Sequence, residues 1–158
     1  MSSKEILVEM ANYTFGESPQ VLIAKGLGSC LAITFYHRAT KTGALSHVML
    51  PNSKESSVGG RDLRFVDCVV NEILTKFTMK KIEFDEIEAK IIGGANMFPF
   101  LNREVHMYPS MGKRNMTMAR YYLRQKKIVI VGEDVGGHYG RSVRFHLDTG
   151  IITVEKKI

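Results

Sequence analysis

The sequence predicts an α/β fold, with about seven short strands and two helices in a single domain. Three observations carry that expectation. Short apolar runs alternate with turn-forming residues, and two longer segments repeat their apolar residues at three- and four-residue spacing. No linker, low-complexity tract or internal repeat interrupts the 158 residues. A chain of that length buries a core without disulfide or metal staples.

The elements follow in order. Gln20-Val21-Leu22-Ile23-Ala24-Lys25 reads as a strand running into the glycine turn Gly26-Leu27-Gly28-Ser29-Cys30. Leu31 to His37 is a second strand, Arg38 to Gly43 turns, and the stretch around Ala44-Leu45-Ser46-His47-Val48 returns. An antiparallel hairpin centred near Thr40 sets residues whose numbers sum to about 78 opposite each other. After Pro51, residues 52–60 are polar and rich in serine and glycine, the signature of a loop. Arg61 to Lys80 reads as a helix burying Leu63, Val66, Val70, Ile73, Leu74 and Phe77. Ile87 to Ile92 is a strand that ends at Gly93-Gly94. Asn115 serves as N-cap for a helix from Met116 to Gln125 that buries Met116, Ala119, Tyr122 and Leu123. Lys127 to Val131 is another strand. A hairpin closes the chain, Arg141 to Leu147 and Ile151 to Glu155 around Asp148-Thr149-Gly150.

Composition narrows the class. Hydrophobic content of 44% and charged content of 24% are those of a soluble globular protein. Two cysteines, Cys30 and Cys68, are too few for a disulfide framework and point to a reducing compartment. The first residues carry charge where a signal peptide needs an apolar run, and no stretch approaches the ~20 apolar residues of a membrane span. A cytoplasmic protein without membrane insertion is expected. The net charge of +6 gathers at Arg120, Arg124, Lys126, Lys127, Lys156 and Lys157. Acidic residues are interspersed and no nucleic-acid-binding signature accompanies the charge, so no nucleic-acid partner is expected.

Cys30 and His47 carry the chemistry. A thiol is a nucleophile as thiolate, and a neighbouring imidazole is the usual means of generating it. The hairpin sets Cys30 opposite residues 47 to 49, where facing and diagonal side chains are about 4.5–8 Å apart. The glycine turn leaves the backbone amides of Ser29 and Cys30 free to face an oxyanion. The competing reading is a small buried core residue, the commonest fate of a free cysteine.

Cys68 falls away from the apolar face of its helix and reads as structural. His37, His106, His138 and His146 show no metal-ligand spacing, and neither GxGxxG nor GxxxxGK[ST] occurs. Neither metal nor cofactor is expected. Gly93-Gly94 and Gly136-Gly137 read as tight turns, with Asn96 or Phe98 as candidates to border a cleft.

The motifs also carry a resemblance. Gly26-Leu27-Gly28-Ser29-Cys30, Ser46-His47-Val48-Met49-Leu50-Pro51 and Arg64-Phe65-Val66-Asp67 come first. Ile92-Gly93-Gly94-Ala95-Asn96-Met97-Phe98, Arg114-Asn115, Asp134-Val135-Gly136-Gly137 and Gly140-Arg141 follow. In this order they resemble the CheD family of bacterial chemoreceptor glutamine deamidases, nearly end to end. The resemblance implies a single-domain layered sandwich with a mixed β-sheet core and flanking helices, similar to deamidating toxin-type cysteine hydrolases. It implies a cysteine hydrolase converting receptor glutamines to glutamate with release of ammonia, and in some members hydrolysis of glutamyl methyl esters. It implies chemotaxis receptors as substrates and the phosphatase CheC as a partner. One departure stands out: the family's threonine six residues before the cysteine is Ala24 here. The expectation is that the backbone carbonyl of Ala24 orients His47 in its place. Two other readings stay open, a non-catalytic adaptor and a general thiol hydrolase of small amides or esters.

Overall fold

Leu31–His37 is buried at every position, and a strand without an exposed face lies between two covering layers. The structure, a computed structural model that describes residues 4–55, 61–99 and 109–158, shows both. Its strands are β1 (Glu5–Leu7), β2 (Asn12–Glu17), β3 (Val21–Leu27), β4 (Leu31–His37), β5 (Thr42–Val48), β6 (Ile87–Gly93), β7 (Val129–Val135), β8 (Gly140–His146) and β9 (Ile152–Lys157). The helices are α1 (Val66–Met79) and α2 (Met111–Gln125). One sheet runs β2-β5-β4-β6-β7 and the other β1-β3-β8-β9. Both are mixed, with parallel pairs β1–β3 and β6–β7 and antiparallel pairs elsewhere.

The period of two along β4 divides its side chains between the layers. Leu31, Ile33 and Phe35 meet Val66, Val70, Ile73 and Phe77 of α1 and Ala119 and Leu123 of α2. Ala32 and Tyr36 face the second sheet and join Leu22, Ala24, Leu27, Val143 and Phe145. The architecture is therefore sheet, sheet, helices. The layered α/β sandwich is as expected, but its core is two mixed sheets and both helices lie on one side.

Other differences have local causes. β1 and β2 were not foreseen: the first has three residues, and the second lies at a sheet edge with no fully buried position. The α1 helix starts at Val66, not Arg61, because Leu63 and Arg64 form a turn, with Phe65 N–H donating to the Asp62 carbonyl at 3.3 Å, and Phe65 is extended and bridges Leu50. The α2 helix starts at Met111, capped by the Ser110 hydroxyl, which accepts from the Lys113 N–H at 3.3 Å. Asn115 is thus inside the helix and does not cap it. Within the expected loop, Ser53–Glu55 forms a 3-10 turn. Residues 56–60, with His106 and its neighbours Met107 and Tyr108, lie outside the described residues.

Candidate active site

The β4–β5 ladder pairs Ala32 with His47 and Leu31 with Val48, one residue along from the sequence-based register. Cys30, next in line before Leu31, therefore falls diagonally from His47. Both lie on the face turned to the second sheet, where Cys30 packs against the inter-sheet core. A single hairpin presents thiol and imidazole on one face.

The turn before β4 is pinned through its acceptors. The Gly28 carbonyl accepts from Ala95 N–H at 2.9 Å, and that of Cys30 accepts from Gly94 N–H at 2.9 Å. Between them, the Ser29 carbonyl accepts from Asn115 Nδ2 at 3.0 Å. Gly93 is required here: its φ is +114°, and a Cβ on it would lie 2.3 Å from the Cys30 carbonyl oxygen. The loop after β6 is held in turn, by Gly136 N–H to the Gly93 carbonyl and Asn96 N–H to the Gly137 carbonyl, each 2.9 Å. His138 Nδ1–H donates to the Asn96 carbonyl at 2.9 Å.

His47 is 2% exposed. Among the described residues neither ring nitrogen has a hydrogen-bond partner. The expected bond to the Ala24 carbonyl is not formed. Ala24 belongs to β3 of the facing sheet, whose backbone groups lie in that sheet and pair with β1 and β8, as Ala24 itself pairs with Val143. Burial lowers the imidazole pKa, while the Val8 backbone and the charge of Glu9 raise it by less. Val8 belongs to a segment tied to both sheets: its N–H donates to the Ile23 carbonyl at 2.7 Å, and Ala11 N–H donates to the His47 carbonyl at 2.9 Å.

Burial pushes the Cys30 thiol up, its own backbone amide opposing. The resting pair is neutral thiol beside neutral imidazole. A preformed thiolate, the first expectation from the residue pairing, is disfavoured by desolvation of the anion.

A cavity of ≈ 250 Å³ reaches the turn before β4 at Ser29, and is lined also by Asn96, Met97, Phe98, Met111 and Gly112 among others. Asn96 and Phe98 thus border the space next to the turn before β4. Cys68 lies half-buried on α1, close enough to Tyr122 of α2 to act on its phenol, in the helical layer away from Cys30. His37 bonds Thr40 and Glu86 at 2.7 and 3.0 Å, and His146 bonds Thr153 at 2.9 Å. Both fasten local structure. Among the described residues no three His, Cys, Asp or Glu side chains converge, and no helix is long and apolar enough to cross a membrane.

Comparison with known proteins decides the family. The family model described as CheD chemotactic sensory transduction matches residues 49–156. A Clostridium tetani protein named probable chemoreceptor glutamine deamidase CheD is 36% identical over 155 residues, 98% of this chain and 93% of its own. The chain belongs to the CheD family. A Syntrophomonas wolfei protein of the same name is 33% identical over 153 residues, 97% of this chain and 94% of its own. A relative from Clostridium botulinum strain Eklund 17B, also so named, is 34% identical over 155 residues, 98% and 94% of the two chains. Among solved structures, the hypothetical protein YfiH of Bacillus licheniformis superposes with a TM-score of 0.45 and 11% identity over 78% of this chain and 49% of its own. That likeness is too distant to bear on function.

In this CheD-family chain two site-forming residues escaped the sequence reading. Asn115 was assigned to a cap, although it continues the buried stripe of Ala119, Tyr122 and Leu123, and a polar residue on an apolar stripe is the signal that would have found it. Arg141 is 1% exposed. Its guanidinium donates to the carbonyls of Gly136 at 2.8 Å and Gly93 at 3.4 Å and pairs with Asp134 at 3.2 Å. Its traces in the sequence are an arginine inside an alternating strand and the Gly140-Arg141 motif of the resemblance, neither of which gives it a role.

Proposed function

We propose that this chain is a cysteine-dependent hydrolase that deamidates glutamine side chains of chemotaxis receptors. The observation that carries the reading is the placement of Cys30 and His47 on one face of adjoining strands, with a cavity at the neighbouring Ser29. The names of its full-length relatives supply the substrate.

The thiol sulfur of Cys30 adds to the carboxamide carbon while His47 takes the thiol proton. The backbone amides of Ser29 and Cys30 donate to the oxyanion, the turn's carbonyls being engaged on the other side. The imidazolium of His47 protonates the departing nitrogen, ammonia leaves, and a thioester remains. Water, deprotonated by His47, attacks that thioester, releasing glutamate and restoring the thiol. No step uses a cofactor. A glutamyl methyl ester offers the same carbonyl with methanol as leaving group, and the proposal extends to it. CheC is included as a partner on the family resemblance alone.

The test is incubation with a glutamine-containing receptor cytoplasmic fragment, followed by peptide mass spectrometry and ammonia assay. Amide-to-acid mass changes at discrete glutamines, absent with Cys30→Ala, support the reading. Binding of the fragment without mass change is the adaptor result. Consumption of free glutamine with the fragment untouched is the small-amide hydrolase result.

A further inference from the structure

The β4–β5 ladder ends at Leu31 and Val48, one step short of the nucleophile. Beyond that rung the two strands part. The Cys30 carbonyl turns to Gly94 N–H, while the N–H groups of Met49 and Leu50 both reach the Arg64 carbonyl at 2.9 Å. The β6 side holds the Cys30 carbonyl, but no β4–β5 rung joins Cys30 to the strand that bears His47. The Asn115 side chain spans that gap. The two hydrogens of Asn115 Nδ2 go to the Ser29 carbonyl and the Met49 carbonyl, each at 3.0 Å.

Those carbonyls belong to the residue before the nucleophile and to the residue opposite it. A primary amide is planar, so one nitrogen donating to both sets their separation and angle together. The amide is 0% exposed. Its oxygen is buried without a partner among the described residues, a desolvation cost that helix stability does not explain. Asparagine is also a poor interior helix residue.

We infer that Asn115 is a positioning residue that replaces the missing ladder rung and sets the approach of Cys30 to His47. The inference rests on the catalytic pairing proposed above. Both hydrogen bonds of Asn115 go to backbone carbonyls, so it acts through the backbone next to Cys30 and opposite it. A shift of about 1 Å between reacting groups costs on the order of 10²-fold in rate.

The test is a double-mutant cycle on alkylation of Cys30 by iodoacetamide, followed by mass spectrometry of the Cys30 peptide on folded protein. Asn115→Ala should slow alkylation about tenfold when His47 is present and less than about twofold in the His47→Asn background. Asn115→Ser, whose hydroxyl can donate to one carbonyl only, should fall between and serves should the alanine variant not fold. In receptor deamidation, kcat should fall by about 10- to 100-fold with KM within about twofold. An equal slowing of alkylation in both backgrounds, or none in either, overturns the inference. Alkylation needs no receptor, so a wild type that coupled as expected but deamidated nothing would sink the substrate reading and leave this one standing.

Discussion

Gly93 comes so close to Cys30 that a methyl group on it would stand 2.3 Å from the Cys30 carbonyl oxygen. The neighbouring Gly94 N–H bonds that same oxygen, so the glycine and the bond together locate the Cys30 backbone.

Gly93→Ala should therefore displace the turn as well as strain it. The φ of +114° alone costs about 1–3 kcal/mol with a side chain present, and the backbone oxygen must also move. Gly136→Ala is the control, since Gly136 has a φ of +84° and open space around its Cβ position. Urea denaturation should show both variants destabilised. Activity per folded molecule should drop more than about tenfold only for Gly93→Ala, since misplaced reacting groups cost rate steeply.

Cys30→Ala should abolish deamidation and leave the fold intact, because it removes the sulfur and little volume. Residual activity within about tenfold of wild type would place the nucleophile elsewhere. Cys68→Ser should be close to silent in turnover, its side chain lying among the helices. At neutral pH Cys30 should alkylate more slowly than a free thiol, since burial pushes its pKa up.

What the sequence disclosed and what it withheld have physical reasons. Alternation and turn residues located the β4–β5 hairpin to within one residue of register, near enough to bring Cys30 and His47 close, but the observed register is what sets them on one face, since a slip of one residue turns a side chain to the other. Local pattern does not report which sheet a strand joins. Ala24 was expected beside His47, yet β3 pairs in the facing sheet, so its carbonyl points along that sheet. Helix starts failed similarly. Leu63 fits the spacing of α1, but it lies in a turn, and Phe65 after it is held extended by its bridge to Leu50, a long-range contact. Asn115 looks like a cap locally and acts as a cross-brace only because α2 crosses the ends of β4 and β5.

The pH dependence follows from the two shifts. The mechanism needs neutral His47 and protonated Cys30 in the resting enzyme, so kcat/KM should hold a plateau between their pKa values. Its acid limb should lie below the ordinary histidine value of 6.5, because burial lowers His47. Its alkaline limb should lie above the ordinary thiol value of 9.0, because burial raises Cys30. Stability carries the same signs. As pH falls from 6.5 through the lowered His47 value, the unfolded chain binds a proton first and stability is lost. As pH rises from 9.0 through the raised Cys30 value, the unfolded chain loses a proton first and stability again declines. His47→Asn should remove the acid loss and Cys30→Ala the alkaline one, read from urea midpoints across pH. An acid limb at or above 6.5 in the wild type would contradict the burial argument.

Arg141 offers the last test, because it is a buried cation that closes the fold at the site. It stands on β8 of one sheet and bonds the carbonyls of Gly93 and Gly136, which belong to the other sheet and the loop that follows it. Its guanidinium also lies 4.5 Å from the Tyr139 ring centroid and pairs with Asp134. Methionine matches the stem but takes the donor from the Gly136 carbonyl, at about 1–3 kcal/mol for an unsatisfied group, while the Gly93 carbonyl keeps its bond from Gly136 N–H. Asp134 is spared part of that cost, being one-third exposed and 3.6 Å from Lys156 Nζ. Arg141→Met should therefore destabilise by about 1–3 kcal/mol, with the urea midpoint falling at unchanged slope. Arg141→Lys, a point charge without the fork, should recover only part of that loss. The loop from Gly93 to Phe98 bounds the cavity beside Ser29, so the methionine variant should also raise KM for the receptor fragment. A variant as stable as wild type with unchanged KM would show that the Gly93 turn holds its place without the arginine.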